Sequence, residues 1–245
     1  MSLTKGVLTY CYGKTYEKFA YALADSCQVL GLDLTVVSDN NSLLKHPNIN
    51  LVYKENKSLN AFEIEKYSYV LSPYDLTLKV DIDVLLLSRV DDYFNLAKSL
   101  GLVSGKPNNY CTVAQPASAY RKKEENYFLP EIYSTAICFS KSPIARDFFK
   151  TVKYLFENWY SLDMSKDLSP TTDTVMSVAW KLQNVPITKI LDFTHFKKHL
   201  AYDSKKLLWY ANGVVLNGNK LEGIFHYYEK DFLENNKELV KCLLS

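Results

Sequence analysis

The residues best equipped for chemistry are Asp81 and Asp83, in the run Leu76-Thr77-Leu78-Lys79-Val80-Asp81-Ile82-Asp83-Val84-Leu85-Leu86-Leu87. Side chains alternate faces along a strand. Leu76, Leu78, Val80, Ile82 and Val84 therefore share one face, and Thr77, Lys79, Asp81 and Asp83 the other. The apolar run makes the strand central, where a lone charge is expensive to desolvate. Two carboxylates about 7 Å apart on one strand edge repel each other unless a cation sits between or beside them. A hard divalent ion with oxygen ligands meets that need. The plainer alternative is a solvated turn; the return of apolar residues at Val84 favours the metal site.

The elements around this pair read as an α/β protein. Residues 6–12 are β-branched and aromatic and end at Gly13. A helix follows, with Tyr16, Phe19, Ala20, Leu23, Cys27 and Leu30 on one stripe and Gly31 as its stop. A second strand spans 34–38 and runs into Asp39, Asn40 and Asn41; a third covers Ile49–Tyr53; a helix over 61–71 ends before Pro73. Strand, helix, strand with short connections implies a parallel sheet with right-handed crossovers. Farther on, strands are expected over 110–114 and 135–140. An amphipathic helix then carries Ile144, Phe148, Phe149, Val152, Leu155, Phe156 and Trp159. A helix over 173–182, strands over 207–216 and 223–227 and a final helix over 231–244 complete the chain. Ligands of such sheets bind beyond the carboxyl ends of the strands. That edge offers Tyr10, Cys11, Tyr12, Ser38 and Asp39. Tyr12 suits stacking on a base and Asp39 suits accepting from a base or ribose; as single residues they are also ordinary turn residues.

Composition narrows the class. With 47% hydrophobic and 23% charged residues the chain is too apolar to be disordered. Lys and Arg total 29 against 27 Asp and Glu, so bulk charge does not mark a nucleic-acid binder, though it does not exclude one. Cysteines at 11, 27, 111, 138 and 242 are odd in number and scattered. That argues against a disulfide framework or structural zinc and for a reduced, cytoplasmic setting. The first residues do not read as a signal peptide, and the longest apolar stretches are strand-sized, so no transmembrane segment is expected.

The pattern resembles the metal-dependent glycosyltransferases of the GT-A type, most closely the small glycogenin-like, phage and bacterial kind. The resemblance rests on Ser72-Pro73-Tyr74-Asp75 followed by Lys79 through Leu87, on Pro130-Glu131-Ile132-Tyr133-Ser134-Thr135-Ala136-Ile137, on Asp173-Thr174 opening a helix, and on a late His226. It covers about residues 6 to 230. Ser134 and Ala136 stand where the family has Asn and Gly, and Thr174 where it has Gln.

The resemblance implies a Rossmann-like, mostly parallel sheet flanked by helices, with a mixed C-terminal half. It implies one domain over 1–245, with residues 1–105 as nucleotide-binding half and 106–245 as acceptor-binding half. Asp83 is the expected direct metal ligand, Asp81 a ligand through water or a ribose contact, and His226 the third ligand, with His195 as the fallback. An imidazole in the set suits Mn2+ over Mg2+. Donor binding is expected of Tyr10, Tyr12, Asp39, Lys79, Asp81, Ser134, Thr135 and Lys230. Asp173 is an N-cap or a catalytic carboxylate, with Glu131 as second candidate. The reaction that the resemblance implies moves a sugar from a nucleoside diphosphate sugar, with UDP as the expected carrier, to a hydroxyl of a glycan or of a hydroxymethylated base in phage DNA, in the cytoplasm (the host's, if viral). A charged loop over 119–129 and the pairs Lys197-Lys198 and Lys205-Lys206 suit a polyanion, or equally a solvated surface. Two rivals remain: a haloacid-dehalogenase-like phosphatase using Asp81 and Asp83, though no Gly-Asp dipeptide occurs for its downstream carboxylate, and an inactive nucleotide-sugar-binding module.

Overall fold

The computed structural model describes residues 3–55, 61–88, 90–105, 123, 124, 126–130, 132–186, 193–195, 207–210, 213–216, 219, 220, 222–227, 231–235 and 237. Branched and aliphatic residues build β1 (Lys5–Tyr10), β2 (Asp33–Ser38) and β3 (Ile49–Tyr53), with α1 (Glu17–Val29) between the first two. A short α2 (Ser68–Leu71) precedes β4 (Leu76–Val80), β5 (Val84–Ser88), α3 (Asp91–Leu100) and β6 (Leu102–Gly105). Next come β7 (Tyr133–Ser140), α4 (Pro143–Asn158) and α5 (Thr172–Leu182). The last elements are β8 (Phe193–His195), β9 (Leu207–Tyr210), β10 (Gly213–Leu216), β11 (Asn219–Lys220), β12 (Gly223–His226) and α6 (Phe232–Asn235).

The main sheet has the order β3-β2-β1-β4-β7-β6. Its first four strands are parallel and β7 runs antiparallel to both neighbours. This is the expected α/β arrangement, with a mixed sheet where the second half joins. One face packs on α1 and α3 through Val7, Leu34, Leu78, Val80, Ala136 and Cys138. The other packs on α4 and α5 through Ile137, Phe139, Phe148, Phe149, Val175 and Trp180. Tyr74 lies flat against Gly6: a Cβ there would fall 2.4 Å from the ring, so only glycine leaves room, and the Tyr74 hydroxyl bonds Thr35 at 2.8 Å. A second sheet, β5-β12-β8, adjoins the carboxyl end of β4.

Three local expectations change. The helix over 61–71 is a 3-10 segment, Ala61–Tyr67, followed by the one turn of α2. Aromatic and branched residues there are weak helix formers, and Ser68 Oγ turns back onto the Glu65 carbonyl at 2.7 Å. The strand expected across 76–87 breaks into two: β4 stops at Val80, a turn carries the Asp-x-Asp, and β5 enters a different sheet. Asp is a poor strand former, and the turn draws its carboxylates closer than one continuous strand would. The run over 207–216 is two antiparallel strands, with Gly213 opposite Tyr210 and Leu216 opposite Leu207. The strand expected over 110–114 and most of the helix over 231–244 lie outside the described residues.

Candidate active site

Register builds the site. The β4–β7 ladder pairs Lys79 with Ile137 and Val80 with Ala136. One step on, Asp81 N donates to the Thr135 carbonyl at 3.0 Å, and Thr135 Oγ1 donates to Asp81 Oδ2 at 2.7 Å. In the second sheet β12 runs antiparallel to β5 with His226 opposite Val84, and Tyr227 N donates to the Asp83 carbonyl at 3.2 Å. That register sets His226 Nε2 3.1 Å from Asp83 Oδ1. Ligand atoms of Asp81, Asp83 and His226 all lie within 4.8 Å of one another. Two half-buried carboxylates and a buried imidazole are a donor set that fits a divalent ion. His226 reaches this point only because β12 is in place, and Gly223, at φ 75, begins that strand where a residue of β5 is skipped.

Beneath the carboxylates lies Lys79, with no exposed surface. Its ammonium donates to the Ser134 carbonyl at 2.8 Å and to Asp81 Oδ1 at 3.2 Å, and it pairs with the Glu65 carboxylate. Burial alone would pull the Lys79 ammonium down; Glu65 and Asp81 overcome this and hold it above its ordinary value. Burial pushes the Glu65 carboxyl up to about 7, against the pull of Lys79. For Asp81 burial acts upward too, but Lys79, His226 and the Thr135 hydroxyl outweigh it and hold the carboxyl low. Breaking a buried pair of this kind costs about 3–5 kcal/mol.

The same network reaches Asp173. The helix cap is Thr171, whose hydroxyl accepts from Thr174 N, so Asp173 is not the N-cap. Asp173 Oδ1 instead accepts from Ser134 N at 2.8 Å and Ser134 Oγ at 2.6 Å. Thr174 Oγ1 donates to the buried Glu124 at 2.7 Å. At the neighbouring strand ends, Tyr10 OH shares a hydrogen bond with Ser68 Oγ (2.8 Å), and Tyr12 OH donates to the Lys54 carbonyl at 2.9 Å. Asp39 is exposed just past β2. Burial raises the Tyr12 phenol and pushes the Cys11 thiol up to about 12, with acidic neighbours adding to both.

Asp81, Asp83, His226, Lys79, Ser134, Thr135 and Asp173 thus form one connected group, with Tyr10, Tyr12 and Asp39 along the adjoining edge. Glu131 and Lys230 lie outside the described residues. His195 is the backbone partner of His226 in the β8–β12 ladder. Glu65 was missed in the sequence. Its signal was indirect: a lysine inside an apolar central strand demands a buried counter-charge.

No family model matches the sequence, and no curated protein sequence does. Solved structures do. The galactosyltransferase LgtC in complex with donor and acceptor sugar analogues superposes with a TM-score of 0.59 at 11% identity, covering 98% of this chain and 95% of that one. The fold is that of the GT-A glycosyltransferases. Mouse xyloside xylosyltransferase 1 gives a TM-score of 0.53 at 10% identity over 92% of this chain and 98% of its own. The WbbM bifunctional glycosyltransferase gives 0.61 at 12% identity, with 94% of this chain covering 46% of that one, so the chain spans under half of WbbM. On this GT-A frame the Asp-x-Asp turn leaves the carboxyl end of a parallel central strand, at the edge where open α/β sheets take ligands.

Proposed function

We propose that the chain is a metal-dependent glycosyltransferase that moves a sugar from a nucleoside diphosphate sugar, of uridine in the first instance, to a hydroxyl acceptor. The observation that carries this is the convergence of Asp81, Asp83 and His226 at the carboxyl edge of a GT-A sheet. Asp83 and His226 would hold the ion directly. Asp81, with each oxygen already accepting a hydrogen bond, would complete the set through water or hold the ribose. The imidazole favours Mn2+, with Mg2+ as the alternative. When bound, such an ion neutralises the departing diphosphate.

The remaining roles fall to the chain's own groups. Tyr12 and Asp39 would flank the base and ribose. Ser134 and Thr135 would line the donor side, with Lys230 as a further candidate there and Glu131 as the second candidate for a catalytic carboxylate. Asp173, held through Oδ1 by Ser134, would orient the reacting sugars. We read the chain as one domain, since His226 of the later half completes a site begun by Asp81 and Asp83. A glycan is the acceptor we favour, and LgtC was solved with sugar analogues of both substrates. Cytoplasmic placement belongs to the same proposal, supported by the free, buried thiols of Cys11, Cys27 and Cys138.

The test is a panel of nucleotide sugars assayed for diphosphate release with and without Mn2+. The expected result is metal-dependent release with one donor, lost at least about a hundredfold in Asp83→Ala with the fold intact. Undiminished release by Asp83→Ala at saturating Mn2+ would sink the assignment.

A further inference from the structure

We propose that Glu65 and Lys79 form a buried counter-charge pair that positions Asp81 and sets how strongly the Asp81/Asp83/His226 group attracts a cation. The inference rests on the metal-site reading above. Lys79 comes from the middle of the central sheet and has no exposed surface, so it is neither a surface charge nor a group a donor substrate can reach. An ammonium has three donors, and three acceptors surround this one: the Glu65 carboxylate, Asp81 Oδ1 and the Ser134 carbonyl. These acceptors come from three separate elements, the 3-10 segment, the Asp-x-Asp turn and β7. Lys79 therefore fixes the rotation of the Asp81 carboxylate from below while Thr135 fixes it from the side.

The charge count explains why Glu65 is needed. Counting His226 as the neutral imidazole that a metal ligand must be, Lys79 alone would offset half of the negative charge that Asp81 and Asp83 present. Adding Glu65 gives one positive and three negative groups, a sum of minus two, which restores the attraction for a divalent ion. Lys79 thus supplies geometry and Glu65 cancels its electrostatic cost. Through Ser134, which Lys79 holds by the carbonyl and Asp173 by the amide and hydroxyl, the pair also ties the metal site to the start of α5.

The experiment is direct Mn2+ titration, followed by the free-ion electron paramagnetic resonance signal, of the full chain without nucleotide at about pH 8, where Glu65 is ionised. Glu65→Gln leaves an uncompensated ammonium against Asp81 and is expected to weaken Mn2+ binding about tenfold. Removing the ammonium as well, in Glu65→Gln/Lys79→Met, is expected to bring affinity back to within about threefold of the unaltered protein, the remaining deficit being the loss of the Lys79 bond that orients Asp81 while Thr135 still holds it. A purely structural role would make the double variant no better than the single one. That result, or unchanged affinity in Glu65→Gln, overturns the proposal. If Glu65→Gln does not fold, the double variant decides alone: affinity near that of the unaltered protein supports the pair, and a tenfold loss overturns it. Failure of the unaltered protein to bind Mn2+ would instead bring down the metal-site reading itself, and the pair's proposed role with it.

Discussion

Thr135 shows how much of this site depends on single hydroxyls. Its Oγ1, on a buried residue of β7, is the donor to Oδ2 of the half-buried Asp81. Thr135→Val keeps the shape and removes that donor. It should cost about 1.5–3 kcal/mol in denaturant unfolding, the worth of a hydrogen bond to a charged group, and should weaken Mn2+ binding in the same titration. At this scale the sequence was uneven. Asp81 and Asp83 stood out because two acids interrupt an apolar run. Glu65 did not, since its partner Lys79 is distant in the chain and only the packing of the 3-10 segment on β4 unites them. Asp173 was legible as a helix-start carboxylate, but its bond to Ser134 depends on how α5 meets β7, which spacing alone does not reveal.

The elements were read best where periodicity was strong. The alternation of β4 puts Leu78 and Val80 on one face and Lys79 on the other; in the structure the first face packs on α1 and α3. What periodicity missed was the break after Val80, because apolar residues continue on both sides of a turn that changes sheets. Two contacts hold β1 and β4 in place and can be tested. Gly6→Ala would drive a methyl into the Tyr74 ring, with an expected loss of about 1–3 kcal/mol in unfolding free energy. Asp75 accepts from both the amide and the hydroxyl of Thr4, at 2.9 and 2.8 Å, and these bonds hold its carboxyl below the ordinary value. Its contribution is present above the unfolded-state value of 3.8 and is lost as pH falls through the lower folded value. Acid unfolding followed by circular dichroism should therefore be less steep on the acid side in Asp75→Asn than in the unaltered protein.

For the whole molecule, the site lies where two sheets meet: Asp81 follows the last position of β4 in one, Asp83 immediately precedes β5 in the other, and His226 ends β12 beside it. A ligand bound there joins both and stabilises the folded chain by mass action. Saturating Mn2+ at about a hundred times its dissociation constant should add about 2.7 kcal/mol, read as a raised melting midpoint that a chelator reverses. No described helix is long and apolar enough to cross a membrane. The parallel half of the architecture was evident from the strand–helix–strand rhythm; the second sheet was not, since β5, β8 and β12 are short and far apart in the chain. Their pairing has a consequence for biosynthesis. A ribosome-bound chain that has emerged only as far as β7 carries both acids but lacks the imidazole, so full cation affinity arrives late. Ion uptake would then serve as a signal that β12 has docked in its correct alignment.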